Sequence, residues 1–149
     1  MTKKYVVGVA LVAFWAAVAY AQFAKPEDAI KYRKSQMTLI AHHFGAMGAV
    51  VKGQTPYDAA DFAAHAAAVE MISSLGWDAF LVPGSDKGDT SLKAETFKET
   101  AKLLAAADVF ETATANLVTA ADSGELSKIK PQFGAVAQTC GGCHKQFRK

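Results

Sequence analysis

The sequence predicts an all-α fold, an antiparallel up-down-up-down four-helix bundle, and three observations point there. Beyond the first two dozen residues, apolar side chains recur every three or four positions in four separate segments. No segment alternates β-branched and polar residues as a half-buried strand does. The segments are rich in alanine and joined by short connections, which suits helices packed side by side at crossings of about 20°.

Residues 1–21 stand outside this pattern and read as an export signal. Lys3 and Lys4 make a short basic start, residues 6–19 are an unbroken apolar run, and Ala19-Tyr20-Ala21 has the small-x-small form of a cleavage site. The run is short for a bilayer span. Cleavage is expected after Ala21, leaving residues 22–149 as one exported domain with no membrane association. Sixteen Lys and Arg face fourteen Asp and Glu, and Lys3 and Lys4 account for the excess, so that domain is formally neutral. It shows no basic arm or stripe of the kind that binds nucleic acid, and no internal repeat that suggests a helical array.

The first helix is expected to open near Pro26, a residue suited to the first helical position, with Glu27 and Asp28 favourably placed in the helix dipole. Its stripe runs Ile30, Arg33, Met37, Ile40, Phe44, Met47, Val51, and Gly53 ends it. The second is expected to open at Thr55-Pro56 as cap and first residue, with Phe62, Ala66, Val69, Ile72 and Leu75 inward and Gly76 weakening the last turn. Residues 81–90 are rich in Pro, Gly and Asp and form the longest loop. The third helix is placed at residues 92–121, with Phe97, Leu104, Ala107, Phe110, Thr114, Leu117 and Ala121 on one side and Asp122-Ser123-Gly124 as the stop. The fourth is expected from about Ser127, with Pro131 confining its start, and carries Ile129, Phe133, Val136, Cys140, His144 and Phe147.

Cys140 and Cys143 are the only cysteines, and a disulfide closing so short a loop would stabilise a domain of this size little. Cys140-Gly141-Gly142-Cys143-His144 is C-x-x-C-H, the attachment signature of c-type haem. Residues i, i+3 and i+4 of a helix share a face. Two thiols therefore meet the two vinyl groups while the adjacent imidazole reaches the iron from the same side. A thioredoxin-type pair would sit at a helix start in a βαβ setting, and a zinc site would need more thiols or imidazoles nearby; neither context is present. As an iron ligand His144 must be neutral, its second ring nitrogen free to donate a hydrogen bond. His42, His43 and His65 are read as surface or hydrogen-bonded histidines and not as ligands.

A haem motif on the last helix, five residues from the end, makes the chain resemble cytochrome c', the class II c-type cytochromes. The resemblance spans the whole mature length and is carried also by Ala29-Ile30-Lys31-Tyr32-Arg33, His43-Phe44-Gly45, Val51-Lys52-Gly53-Gln54, Pro56-Tyr57-Asp58-Ala59-Ala60 and Trp77-Asp78-Ala79-Phe80. It implies a periplasmic homodimer of four-helix bundles, each with a C-terminal haem-attachment helix and one covalent haem c. The iron would be five-coordinate and high-spin, binding nitric oxide and carbon monoxide at an apolar distal site that offers bound oxygen no hydrogen-bond donor.

By the same resemblance Arg33 and Lys34 contact the haem edge and propionates, Trp77 and Phe80 line the pocket, Asp89 touches the cofactor edge, and Arg148 covers the proximal imidazole. Met37 falls at the distal position, where two readings stay open. It is a steric gate over a vacant iron, or a thioether ligand that makes a low-spin His/Met electron carrier serving redox-partner proteins. Ile40, where the family often has Met, removes one further sulfur, and the loop before Asp89 carries an extra residue. With no distal acid-base group the chain is not expected to be an enzyme.

Overall fold

The computed structural model describes residues 23–149, so the export signal expected at residues 1–21 lies outside the described residues. Four α-helices, α1 (Pro26–Val51), α2 (Ala59–Ser73), α3 (Thr100–Asp122) and α4 (Leu126–Phe147), are accompanied by short 3-10 turns at Trp77–Phe80 and Ala94–Lys98. Each helix packs along the next in sequence, and α1 touches α4 far less than it touches α2. The only β feature among the described residues is a single bridge between Leu92 and Arg148.

α1 begins as its sequence dictates, with extended Lys25 leading into Pro26 and the two acids in the first turn. It ends where Gly53 turns to φ 72° and its neighbours bond back to the last carbonyls. α2 starts three residues later than Thr55-Pro56 suggests. Asp58, a stronger cap than threonine, accepts from the Asp61 N–H at 2.9 Å. α2 also stops at Ser73, which leaves Leu75 outside it and exposed.

The third helix departs most from expectation. Residues 92–99 are not continuous with it. Leu92 pairs with the C-terminal tail, Ala94–Lys98 forms a separate 3-10 turn, and α3 proper starts at Thr100. Within α3 the inward leucine is Leu103, fully buried, whereas Leu104 is 40% exposed. Ala107, Phe110, Thr114, Leu117 and Ala121 face inward as their spacing requires. Pro131 lies inside α4, late enough in its first turns to cost one ladder bond near the start.

One core joins all four helices, with Ile40 and Met47 from α1, Phe62, Ala66 and Val69 from α2, Phe110 and Leu117 from α3, and Ile129 and Val136 from α4. α1 and α4 meet where the Phe44 and Phe133 rings stack, centroids 4.2 Å apart and planes 4° from parallel. A glycine one turn on makes room: a Cβ on Gly48 would lie 3.4 Å from the Phe133 ring. The tail of α4 is tied back by bonds from the Lys93 N–H to the Phe147 carbonyl (2.9 Å) and from the Lys149 N–H to the Ser91 carbonyl (2.8 Å).

Candidate haem-attachment site

Helix periodicity brings the candidate residues to one level of the bundle. α1 and α4 run antiparallel, so seven residues back from Phe44 and seven forward from Phe133 lead the same way, about 10 Å along each axis. Those steps end at Met37 and Cys140, both of which pack half-buried against the shared core. One further turn in the same direction gives Arg33 on α1 and His144 on α4. Trp77 packs on that core too. Its ring lies 5.4 Å from Phe80 and 6.4 Å from Phe110, and its Nε1–H donates to the Ser73 carbonyl at 2.8 Å.

Both thiols are free and half-buried. Burial pushes the Cys140 and Cys143 thiols up from the usual cysteine value, so both are held protonated. Cys143 lines a cavity of ≈ 310 Å³ shared with Ala105, Ala106 and Val109 of α3. Gly141 and Gly142 between the thiols have open space where a Cβ would stand. His144 is more exposed than a residue on the inward stripe should be. Desolvation first, and then the nearby Arg148 cation, lower its proton affinity. A neutral imidazole is the form an iron ligand requires.

Arg33 is 4% exposed, and no carboxylate lies within salt-bridge distance of it among the described residues. Its guanidinium donates only to neutral oxygens: the Ala79 carbonyl (2.9 Å), the Ser85 hydroxyl (2.8 Å), the Ser85 carbonyl and the Thr90 hydroxyl (2.8 Å). The carbon of the fork sits 5.5 Å above the Phe80 ring. Burial lowers its pKa, and Asp86 at longer range opposes that. A buried cation held by neutral groups still favours an anion close by.

Lys34 and Asp89 pair with each other at 2.5 Å on the surface. Arg148 donates from Nε to the Ser91 hydroxyl at 3.2 Å, one turn after His144. Three contributors were not signalled by the sequence. Gln36 donates from its amide to the Ile72 and Leu75 carbonyls, closing the end of α2. Ser85 and Thr90 hold Arg33 from within a loop whose composition announces only a turn.

The residues present fit a covalently attached haem. Two unpaired thiols and a neutral imidazole lie within five residues of one helix, and a buried arginine on α1 lies one turn from the residue at the thiol level. A helical bundle with this attachment motif on its last helix is a monohaem c-type cytochrome of the bundle class. Comparison with known proteins narrows this. The family model described as Cytochrome C' matches residues 28–148. Cytochrome c' of Alcaligenes xylosoxydans xylosoxydans is 44% identical over 128 residues, spanning 86% of this chain and 98% of that one. The structure of cytochrome c prime from Shewanella frigidimarina superposes with TM-score 0.83 at 38% identity, covering 86% of this chain and 99% of its own. The nitric oxide complex of a mutant of the Alcaligenes xylosoxidans protein matches with TM-score 0.79 at 44% identity, covering 86% of this chain and 98% of that one. A carbon monoxide-bound variant of the same protein does so with the same score and identity, covering 86% and 99%. The chain belongs to the cytochrome c' family and binds c-type haem.

Proposed function

We propose that this protein is a periplasmic gas-binding cytochrome whose five-coordinate, high-spin iron takes nitric oxide or carbon monoxide on the side opposite His144. It is also competent for one-electron exchange with redox-partner proteins, works as a homodimer, and is not an enzyme. When bound, the haem supplies the iron that accepts a diatomic ligand and cycles between two oxidation states. Cys140 and Cys143 anchor it through thioethers. His144 donates an imidazole lone pair, and Arg33 offers positive charge for a propionate. The nitric oxide and carbon monoxide seen in the related structures belong to those proteins; the proposal extends them to this chain.

The observation that carries the reading is the character of the level shared by Met37 and Cys140. Met37 packs against a core of aliphatic and aromatic side chains, Ile40 one turn on among them, and that core holds no hydrogen-bond donor for bound oxygen and no group to move a proton for catalysis. Met37 stands half-buried in that packing as a steric gate. Its sulfur is the one feature that favours the second reading, a low-spin His/Met electron carrier.

Absorption spectra of the reduced protein before and after carbon monoxide decide between them. Broad high-spin bands that shift with the gas support the proposal. Sharp split bands that ignore it, and that become gas-sensitive in Met37→Leu, establish the electron carrier instead.

A further inference from the structure

Three of the four histidines lie together, and a hydrogen bond joins two of them. His42 and His43 of α1 and His65 of α2 cluster on the seam between those helices, with ring centroids 5.1 Å apart for His43 and His65, 5.1 Å for His42 and His43, and 6.4 Å for His42 and His65. His43 lies six residues from Met37, about 9 Å along the axis and about 120° around it, so the cluster belongs to a different face from the haem motif. His43 Nδ1 and His65 Nδ1 point at each other across 2.8 Å. The other nitrogen of His65, Nε2, stands 3.7 Å from the Asp61 carboxylate one turn earlier on α2.

This orientation has a chemical reading. Two facing Nδ1 atoms share at most one proton, because a second would set two N–H groups against each other. Asp61 favours the tautomer of His65 that carries its proton on Nε2, which leaves the Nδ1 lone pair aimed at His43. A carboxylate that fixes one imidazole nitrogen while the other donates to a metal is the arrangement that orients histidine ligands in metal sites.

We propose that His43 and His65 form a clasp for an imidazole-preferring divalent cation of the zinc and copper type. His42 or water completes the coordination, and Asp61 acts as the positioning residue behind His65. Among the described residues no three metal-ligating side chains already converge on one point. The cation takes the place of the shared proton and draws the third ligand in. Two nitrogens at tetrahedral zinc distances stand about 3.3 Å apart, so the pair needs to open by roughly half an ångström from its present 2.8 Å. Rotation of two half-buried side chains is enough for that. The site is independent of the gas-binding reading, since none of its residues touches the attachment motif.

The test is calorimetric titration of tag-free, haem-loaded protein with Zn²⁺ near neutral pH, followed by visible spectroscopy of the zinc-loaded sample. One equivalent should bind with the haem spectrum unchanged. His43→Gln and His65→Gln should each weaken binding by about 100-fold or more, and Asp61→Asn by about tenfold. Thermal melts that match the parent certify that the variants are folded. The proposal is overturned if the parent takes up no stoichiometric zinc, which leaves a proton-sharing histidine pair only. It is equally overturned if a folded His65→Gln variant binds as tightly as the parent.

Discussion

Replacing Arg33 by methionine keeps most of the apolar stem and removes the buried charge, and the consequence follows from what the guanidinium holds. Its four acceptors span residues 79–90, the loop that carries Phe80 toward Trp77. Two are main-chain carbonyls, and Ser85 is fully buried. A buried acceptor left without its donor costs about 1–3 kcal/mol. The charge no longer has to be desolvated, which returns part of that. The net loss should be about 3 kcal/mol, or roughly 10 °C in Tm for a domain of this size. Arg33→Lys keeps the charge but loses the planar fork, and should fall between parent and Arg33→Met. Thermal unfolding of the haem-loaded proteins, followed by circular dichroism, measures both. A loss below about 0.5 kcal/mol in Arg33→Met, within the range of ordinary surface substitutions, would refute the claim that this arginine pins the loop.

Gly76→Ala should destabilise by about 1–3 kcal/mol, because Gly76 has φ 67° and a Cβ there would press into the Tyr32 ring; denaturant unfolding of Gly76→Ala with an unchanged midpoint would contradict this. Phe133→Ala removes the stacked partner of Phe44 and, half-buried as it is, should cost about 2 kcal/mol, again read as a shift in denaturant midpoint. His43 has its proton affinity lowered by burial, by His65 and by His42, with Asp61 the acid on the facing helix. The unfolded chain therefore binds the proton more readily, and stability should decline as pH falls through the ordinary histidine value of about 6.5. A series of melts across that range should show a shallower decline in His43→Gln; equal slopes in parent and variant would rule His43 out as the cause.

Helix existence and the inward faces of α1 and α4 were legible because Pro26, Gly53 and the Ile129-Phe133-Val136-Cys140 spacing are local signals that tertiary packing had no reason to override. The haem motif was legible for the same reason, since its three residues lie within one and a half turns. Where two local signals competed the outcome was harder to read. Thr55-Pro56 and Asp58 both propose a start for α2, and the stronger carboxylate cap prevails. Leu103 and Leu104 are adjacent apolar residues, and only the packing of α3 against α2 and α4 decides that Leu103 is inside. Partnerships across long separations left no trace in the sequence. Arg33 bonds to residues 46 to 57 positions away, and the loop supplying its acceptors is marked only as turn-forming. The histidine pair is the same case, two residues 22 positions apart that only the register of α1 on α2 brings together.

The account rests on covalent attachment at Cys140 and Cys143. Its most direct test is the intact mass of the protein purified, under denaturing conditions, from a host with a working cytochrome c maturation system. The mass should exceed that of the mature polypeptide by one haem in the parent. In a Cys140→Ala, Cys143→Ala double variant the extra mass should vanish. A parent that carries only polypeptide mass would contradict the account.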